Sequence, residues 1–592
     1  MTKFLLPIFL TAIISLNAQY QIKSSYLINP ETAIPYVDSC AQFWLDAYDN
    51  TRGGFYTNVD KQGNVQSWSR DKNMLTQTRN AYGYARAYQL TGNDEYLAYA
   101  KGALEFMYDN AWDEQYTGWF SVMDEVGNPQ MAGNKSAFDA HYALLGILTH
   151  YEVTGDTLSY SWLNKGLEFN ETKLWDSRPD YLGYFDYVSR TTTIKNGKSF
   201  NATVDAITTH LLYMYMLTKD EQYLTRLEQM ADNILDYFIA NMEGQAIGFP
   251  EHYDREWNID ESERLSIMGH VLKTGWCLAR INYYSPDADY IEAAETLFNE
   301  VLEKGYDHEY GGPYKDYDRV TGQMQMWGQA DTGKAWWQME QAVTGGLQMY
   351  NTTGDEKYLK MADETLDFFM QHFVDHVYGE VYFDRTRYGD QLWSENKGDG
   401  YKAAYHSIET GYYTYLYGNL FVHEKPVKLF YKYEALDFER NINMSPLAMQ
   451  DAMLIIDSVK LDGDAYTNFD AINRVLTIPA GTGGEFEVYY GIPGATSIAA
   501  SEEIPASFSL EQNYPNPFNP TTNISFTLPK SGNAKLSVYN VLGEQIAVLH
   551  DGFAEAGTKQ FSFNGNDLTS GVYIYTLQTG NYVSSRKMML MK

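Results

Sequence analysis

The chain has 592 residues, of which 44% are hydrophobic and 20% charged, and its formal net charge is -33. This length exceeds what one hydrophobic core supports, and the composition is that of folded rather than disordered proteins. Because so acidic a surface repels phosphate groups, nucleic acid is excluded as an expected partner and anionic membranes are disfavoured.

The N-terminus has the pattern of a signal peptide. Lys3 precedes an apolar run over residues 4–16, and Ala18 ends a small-residue cleavage site. We expect residues 1–18 to be removed on export and, since no other long apolar run follows, no membrane span in the mature chain. Export permits disulfides, but the two cysteines, Cys40 and Cys277, leave their pairing open and exclude a cysteine-based metal site.

A pattern of amphipathic helices recurs about every 65 residues. The segments "LTGNDEYLAYAKGALEFM" from Leu90 and "TTGDEKYLKMADETLDFF" from Thr352 share a polar turn, an acidic first helical turn and apolar residues at helical spacing. A second amphipathic segment precedes each such segment, and a glycine–aromatic loop follows each pair. These loops begin at Gly53, Thr117, Gly183, Ile247, Gly311 and Tyr378.

Six such units predict a mainly α domain over residues 30–423. A helical hairpin cannot bury its apolar stripe alone, so neighbouring units must cover it. Six antiparallel pairs can close into an (α/α)6 barrel whose inner helices line a cavity, and an open solenoid satisfies the same repeat. We favour the closed barrel because its glycine–aromatic loops would then surround the mouth of a pocket.

From residue 424 the pattern changes to short alternating segments between turns, which predicts two small β-sandwich-like domains. The first spans residues 424–495, and a small-residue linker follows over residues 496–506. Residues 507–592 form the second, in which "YPNPFNPTT", "VYNVLGEQI" and "LTSGVYIYTL" closely resemble the C-terminal sorting domain of proteins exported by the type IX secretion system. The resemblance implies that machinery as a partner, passage through the periplasm and across the outer membrane, and a secreted or surface-attached protein.

Three histidines stand in segments predicted for the inner ring, namely His210, His270 and His406. A single histidine in a helix is most often a packing residue with a satisfied hydrogen bond. The inner helices of a barrel converge on its axis, however, so three imidazoles in one aromatic cleft indicate a site. The remaining histidines of the predicted helices are expected to be packing or surface residues: His141, His150, His372 and His376.

Residues 36–422 resemble the N-acylglucosamine 2-epimerase family, which includes cellobiose and mannobiose 2-epimerases and some aldose–ketose isomerases. The resemblance rests on the order and spacing of "QTRNAYGYARAYQLTG", "THLLYMYMLT", "GHVLKTGW", "KAWWQMEQAV" and "YKAAYH". It implies an (α/α)6 barrel that transfers a proton at C2 of a reducing-end sugar, with no metal and no organic cofactor.

The resemblance also implies roles for particular residues. His270 and His406 fall on the family's acid/base pair. Imidazole suits the removal of a weakly acidic proton next to an aldehyde, and two histidines on opposite sides of the opened sugar would invert C2 through an enediolate. Arg79 suits the developing oxyanion. The predicted substrate-binding residues are Arg79, His210, Lys273, Trp336, Trp337, Glu340 and Tyr405.

Two positions depart from the family's pattern. Lys273 stands where relatives carry an acidic residue three positions after the histidine of the "GH" motif, and Tyr213 replaces a glutamate. A carboxylate beside His270 would make the imidazole more basic, whereas a lysine would make it less basic and could itself bind O1 or a substrate carboxylate. The departure therefore bears on the substrate rather than on the fold.

The sequence predicts an exported sugar 2-epimerase that acts on an N-acylhexosamine or on the reducing end of a short oligosaccharide. Three alternatives stay open. An aldose–ketose isomerase would use the same histidines. A glycoside hydrolase would use loop carboxylates such as Asp186, Glu251 and Asp254. A barrel without activity would only bind glycans.

Overall fold

The computed structural model describes residues 20–130, 133–326, 328–450, 453–493 and 509–592, the last range without 511, 514–515, 529–531, 555–556, 567 and 580–581. The chain divides into two compact units, Met1–Ile498 and Ala499–Lys592. The predicted signal peptide (1–18) and linker (496–506) lie outside the described residues.

Six helices form an inner ring in the described part of the first unit. Consecutive inner helices pack on one another, and the sixth packs on the first, where the hydroxyl of Tyr82 donates to Glu409 at 2.8 Å. The ring is therefore closed, as the predicted (α/α)6 barrel requires. The inner helices are Met74–Thr91, Ala137–Thr154, 200–218, Met268–Tyr284, Trp336–Thr353 and Tyr405–Tyr417.

The inner helices are covered on both sides, by the outer ring and across the barrel axis. Every residue from Met74 to Leu90 is buried for this reason. The third inner helix is irregular: a wider, π-type turn at Ile207–Leu211 separates the regular turns Phe200–Ala206 and Leu212–Thr218. Such a turn inserts a residue into the helix and rotates the helical turns that come after it.

Outer helices alternate with the inner ones, and all but the first of the six begin with a side-chain cap. Asn93, Asp156, Asp220, Asp287 and Asp355 each accept a hydrogen bond from a backbone N–H in the first turn. These caps account for the polar turn before each acidic segment of the repeat. The outer helices are Ala33–Phe43, Asp94–Asn110, Thr157–Phe169, Glu221–Asn233, Ala288–Glu300 and Glu356–Phe368.

Buried lysine–aspartate pairs tie the loops to the inner helices. In each pair, the aspartate follows an outer helix and the lysine precedes the next inner helix, with N–O distances of 2.7–3.2 Å. Ser266 occupies the lysine position in the fourth loop. Because breaking a buried ion pair is costly, these pairs fix the shape of the barrel mouth. The pairs are Lys72–Asp49, Lys135–Asp113, Lys198–Asp176, Lys334–Asp307 and Lys397–Asp375.

Two antiparallel sheets follow the barrel within the first unit. One has the strand order Val427–Tyr433, Gly484–Gly491, Ile455–Leu461 and Asp464–Tyr466, and the other has the order Arg440–Asn443, Val475–Ile478 and Phe469–Asp470.

These sheets share the hydrophobic core of the barrel, which runs without interruption from Leu27 to Tyr490. Phe430 packs against Gly92, which ends the first inner helix with φ +70°, so a side chain there would meet both steric and backbone strain.

The second unit is built from two antiparallel sheets around one core. One sheet has the order Ser509–Leu510, Thr521–Leu528 and Gly557–Asn564, and the other has the order Gln545–Ala554, Gly532–Tyr539, Gly571–Thr579 and Tyr582–Leu590. Alternate residues of both sheets face inward, among them Phe526, Leu536 and Tyr575.

Both cysteines are buried and free, so Cys40 and Cys277 do not form a disulfide. Across the described residues, no helix has both the length and the apolarity to cross a membrane.

Candidate active site

The candidate site lies at the mouth of the barrel, the end formed by the glycine–aromatic loops and the N-terminal turns of the inner helices. His270 and Lys273 stand in the first two turns of the fourth inner helix, Trp337 is the second residue of the fifth, and His406 is the second residue of the sixth. Helix N-termini carry partial positive charge, which favours the negative charge of an enediolate at this end.

His270 is held by a carboxylate from the loop before its helix. Its Nδ1 atom lies 2.7 Å from Oε2 of Glu251, whose other oxygen accepts from the backbone N–H of Ile267 at 3.0 Å. The imidazole stacks on Phe200 with ring centroids 3.6 Å apart. Because Nδ1 is engaged by the carboxylate, Nε2 is left to accept or return a proton.

His406 is held by two carboxylates of the inner ring. Its Nδ1 atom lies 3.2 Å from Glu340 and 3.8 Å from Glu409. The ring of Tyr405 lies 4.1 Å from the imidazole, centroid to centroid, and 5% of His406 is exposed. The engaged atom is again Nδ1, so both histidines present Nε2 for chemistry.

The two imidazoles flank one tryptophan. The ring centroid of Trp337 lies 5.1 Å from that of His270 and 6.2 Å from that of His406. Trp336 lies on the far side of His406, at 6.1 Å. This arrangement suits a sugar that lies against Trp337 with one imidazole near each side of a carbon.

Lys273 does not face His270 as a free cation. Its Nζ atom lies 2.6 Å from Oδ1 of Asp205 and 3.3 Å from the hydroxyl of Tyr142. Burial alone would lower the pKa of Lys273, but Asp205 and Tyr142 outweigh it, and the pKa is raised. Asp205 is the charged partner of the lysine, and Glu251 supplies the carboxylate beside His270, while the effect of Lys273 on His270 stays a prediction.

Burial raises the pKa values of the two carboxyl groups beside His406. It raises the pKa of Glu340 well above its ordinary value, with Glu409 adding to the effect, and it raises the pKa of Glu409 to about 7. Burial also holds the pKa of His406 well below its ordinary value, and the cations Arg79 and Lys273 lower it further. At neutral pH the imidazole of His406 is therefore neutral and can accept a proton.

Arg79 reaches the same space from the first inner helix. Its guanidinium carbon lies 4.6 Å from the ring centre of Tyr142 and 5.4 Å from that of Tyr405. Nη1 donates to the backbone carbonyl of Tyr401, and Nε has no partner among the described residues. A permanent cation with a spare donor suits a developing oxyanion.

The structure does not bring His210 together with the other two histidines. Its side chain is fully buried, stacks on His141 at 5.1 Å and lies 6.4 Å from Tyr184. His210 lies within the π-type turn Ile207–Leu211, whereas Asp205 lies in the regular turn before it and contacts Lys273. The sequence does not reveal the contact of Asp205 with Lys273 because the two residues lie on separate inner helices.

The loop carboxylates expected of a glycoside hydrolase have separate partners in the described part of the chain. Glu251 contacts His270, Asp186 accepts from Ser199 at 2.5 Å, and Asp254 accepts from residues of its own loop. Sequence reasoning treated Glu251 as an alternative acid and missed its contact with His270, which the order of residues in the loop does not reveal.

Glu340, His406 and Glu409 are the one group of three acidic or histidine side chains in the described ranges whose donor atoms lie within 4.8 Å of one another. The carboxylates have other partners: Glu340 accepts from Thr344 at 2.6 Å, and Glu409 accepts from Tyr82 at 2.8 Å. Burial raises the pKa values of both carboxyl groups and so favours their protonated forms. The absence of a metal from the reaction stays a prediction.

A cavity of about 500 Å³ adjoins the site at the mouth. Two exposed tryptophans in its wall, Trp68 and Trp393, come from the first and sixth loops and are 70% and 57% exposed. Phe383, also in the wall, packs on Trp336 with ring centroids 4.4 Å apart, so one aromatic contact separates the cavity from the residues around His406. Exposed indoles at a pocket are suited to stacking on sugar rings.

The wall of this cavity carries several acidic side chains. Nζ of Lys315 lies 2.7 Å from Asp331, 3.4 Å from Asp384 and 4.0 Å from Asp316. Burial raises the pKa of Asp316 to about 7 and that of Asp384 to about 6, and the mutual repulsion of the aspartates adds to the effect. Asp331, Asp384 and Asp399 line the cavity together with Lys315, so carboxyl groups outnumber the cation and the cavity disfavours anionic sugars.

A closed (α/α)6 barrel with two carboxylate-held histidines at its mouth defines a barrel enzyme equipped for proton transfer. The sequence profile of the family described as N-acylglucosamine 2-epimerase (GlcNAc 2-epimerase) matches residues 54–410. The chain belongs to this family, and its membership confirms the predicted enzyme class of carbohydrate epimerases.

Similar proteins extend over nearly the whole barrel. The chain is 25% identical to a cellobiose 2-epimerase of Ruminococcus albus over 389 residues, which cover 62% of this chain and 94% of that protein. It is 21% identical to a D-mannose isomerase of Marinomonas mediterranea, with coverage of 64% and 94%. The solved structure of cellobiose 2-epimerase from Spirochaeta thermophila has the same fold, with a TM-score of 0.59 at 18% identity and coverage of 68% and 100%.

The second unit has a separate match. Residues 512–591 match a secretion system C-terminal sorting domain, which confirms the predicted kind of module and indicates secretion or attachment at the cell surface.

Proposed function

We propose that the chain is an exported sugar 2-epimerase that inverts C2 at the reducing end of its substrate through an enediolate. His270 and His406 are the acid/base pair. The observation that carries the proposal is their arrangement around Trp337, at 5.1 and 6.2 Å, with Nδ1 of each imidazole on a carboxylate.

The roles follow from the surroundings of each histidine. In one direction, neutral His406 removes the proton from C2, and the positive charge that it gains is stabilised by Glu409 in its ionised form. Arg79 donates to the oxygen that becomes the oxyanion. His270, whose Nδ1 atom lies 2.7 Å from Glu251, returns a proton to the opposite face of C2. In the reverse reaction, His270 removes the proton and His406 returns one.

The remaining predicted contacts orient the sugar. Trp336, Trp337 and Tyr405 supply aromatic faces, and Lys273 supplies a hydroxyl-binding group whose position Asp205 fixes. We leave His210 out of the substrate contacts because its side chain has no exposed surface.

The predicted substrate is an N-acylhexosamine or a short oligosaccharide. The cavity lined by Phe383, near Trp336, supports a short oligosaccharide as the substrate. The cavity has room for a sugar unit beyond the reducing end, and the exposed rings of Trp68 and Trp393 can stack on that unit. Its acidic wall supports a neutral or amino sugar rather than a uronic acid.

An aldose–ketose isomerase is the second candidate, and the similarity to a D-mannose isomerase favours it. The first step is common to both reactions, since each removes the C2 proton and forms an enediolate. They differ in the carbon that receives the proton, which is C2 in an epimerase and C1 in an isomerase.

Export is the last part of the proposal. The sorting domain over residues 512–591 supports passage across the outer membrane by the type IX machinery, and the predicted signal peptide 1–18 supports passage through the periplasm. Deletion of residues 507–592 should leave active enzyme in the periplasm, and undiminished secretion of the deleted chain would contradict this route.

Incubation of the purified protein with candidate sugars in deuterated water tests the proposal. Accumulation of the C2 epimer with deuterium at C2 supports the epimerase, and a ketose supports the isomerase. New reducing ends from a longer glycan would point to a hydrolase. If no sugar of either predicted class exchanges its C2 proton, the proposed function is wrong.

A further inference from the structure

A segment of the β layer reaches the end of the barrel opposite the mouth. Residues 444–450, which we call the floor segment, contact three inner helices through their backbone. The N–H of Leu447 donates to Glu152 at 3.0 Å, its carbonyl accepts from Arg280 at 2.9 Å, and the carbonyl of Ala448 accepts from Tyr417 at 2.8 Å. Both Leu447 and Ala448 are at most 1% exposed, so the segment is an integral part of the core.

A line of polar contacts runs from the floor segment to the site. Glu152, which binds the backbone of Leu447, lies 2.7 Å from Nη1 of Arg86. The guanidinium carbon of Arg86 lies 5.2 Å from the ring centre of Tyr82. The hydroxyl of Tyr82 donates to Glu409 at 2.8 Å, and Glu409 is the second carboxylate beside His406.

We propose that Tyr82, Arg86 and Glu152 are positioning residues for the reaction, which transmit the placement of the floor segment to Glu409 and thereby to His406. The proposal rests on the proposed role of His406 in proton transfer. It gives the β layer a part in catalysis although the layer lies at the other end of the barrel from the substrate.

The state of Arg86 supports a positioning role. Its side chain is fully buried, and Nε and Nη2 have no partner in the described part of the chain. A buried ion pair of this kind adds little stability compared with apolar residues of the same size, but it fixes geometry. Removing Glu152 would leave the arginine charge uncompensated next to Tyr82, and the donor to Glu409 would shift.

The test is a pair of matched substitutions on the first inner helix. Tyr82→Phe removes the hydroxyl that donates to Glu409. Tyr84→Phe is the control, because Tyr84 is equally buried and its hydroxyl donates to the backbone carbonyl of Ala41 at 2.9 Å instead. We expect Tyr82→Phe to lower kcat about tenfold with KM within about twofold, and Tyr84→Phe to leave both within about twofold. Equal losses of kcat in the two variants would show that Tyr82 acts only through packing and would overturn the proposal.

A double-substitution cycle tests whether the residues act in one line. Glu152→Gln keeps an oxygen for Leu447 but removes the charge opposite Arg86, and we expect it to lower kcat about fivefold. If both residues act through Glu409, the variant with Tyr82→Phe and Glu152→Gln loses no more than Tyr82→Phe alone. Losses that multiply would contradict a shared route.

A readout without substrate separates this proposal from the proposed function. Deuterium exchange at Cε1–H of His406, followed by mass spectrometry of its peptide, reports the surroundings of the imidazole. We expect the exchange rate to change about threefold in Tyr82→Phe and to stay unchanged in Tyr84→Phe. If wild-type protein turns over no sugar, the proposed function fails while this comparison still decides the positioning role. An unchanged rate in Tyr82→Phe would overturn it.

Discussion

Nζ of Lys273 lies 2.6 Å from Oδ1 of Asp205, in a pair whose side chains are 3% and 2% exposed. The lysine stands where the family's pattern has an acidic residue, and the aspartate lies on the neighbouring inner helix. The positive charge of Lys273, where the family's pattern has a negative one, is therefore matched by the negative charge of Asp205 beside it. The two residues have to be considered as one unit, and a single substitution leaves a buried charge without a partner.

The first prediction concerns this unit. Lys273→Met leaves Asp205 unpaired, and we expect the free energy of unfolding to fall by about 3 kcal/mol, measured by denaturant titration. The variant with Lys273→Met and Asp205→Leu should recover most of that stability but not turnover, because the substrate loses a donor. Full recovery of kcat in the double variant would remove Lys273 from the substrate contacts.

The second prediction uses the two-sided arrangement of the histidines. His270→Ala and His406→Ala should each lower epimer formation by roughly 10³-fold or more, because one face of C2 loses its acid or base. Each variant should nevertheless exchange the C2 proton of one epimer, the one whose proton faces the remaining histidine. Proton NMR of each epimer in deuterated water measures this.

The two variants should show opposite preferences, which provides an internal control. Far-UV circular dichroism and thermal unfolding like those of wild type would exclude loss of the fold. Exchange of the same epimer by both variants would contradict the assignment of one histidine to each face.

The third prediction concerns the carboxylate of His270. Glu251→Gln keeps the size of the side chain but no longer stabilises a protonated imidazole, so kcat should fall by about 10²-fold with KM nearly unchanged. In a His270→Ala background the same substitution should have no further effect. Glu256→Gln is the matched control on the same loop, since Glu256 pairs with Arg178 at the surface. A comparable loss in Glu256→Gln would show a general effect of the loop.

Local motifs were sufficient to predict the repeat and to favour the closed ring over an open solenoid. The roles of His270 and His406 come from the resemblance to the family and stay a proposal. The segments around His270, Trp337 and His406 each occupy the first turns of an inner helix, so regular helical spacing describes them correctly. The buried lysine–aspartate pairs also leave a regular signal in the sequence: Asp113–Lys135 and Asp176–Lys198 share a spacing of 22 residues.

The contacts of His210, Asp205 and Glu251 depend on how separate elements pack, and no local sequence pattern shows this packing. His210 was predicted to bind substrate from the resemblance to the family, and its side chain stacks on His141 instead. The contact of Asp205 with Lys273 joins two separate inner helices. Glu251 reaches His270 only because the loop folds back over the start of the helix, 19 residues later in the chain. Contacts between separate elements of this kind arise from tertiary packing rather than from residue order.

The fourth prediction is a pH dependence. Burial raises the pKa of Glu409 to about 7, so this carboxyl group gains a proton as the pH falls through that value. The negative charge that supports His406 is then lost, proton removal from C2 becomes slower, and kcat should decrease with an apparent pKa near 7. In Glu409→Gln the decrease of kcat at low pH should disappear from the pH profile. Its kcat should then be constant, near the low-pH value of the wild type. A wild-type kcat that is constant between about pH 6 and pH 8 would contradict the role of Glu409.

The fifth prediction concerns substrate length. Trp393 lines the cavity beside Trp336 and is 57% exposed, so its ring is available to a sugar unit beyond the reducing end. Trp393→Ala should raise KM for a β-linked disaccharide about tenfold, because a stacked ring contributes roughly 1–1.5 kcal/mol, and should leave KM for the corresponding monosaccharide unchanged. Val377→Ala provides a control, since this side chain is 80% exposed and does not line the cavity. Equal increases for both sugars would place the effect at the reducing end, and the cavity would then have no part in recognising a longer substrate.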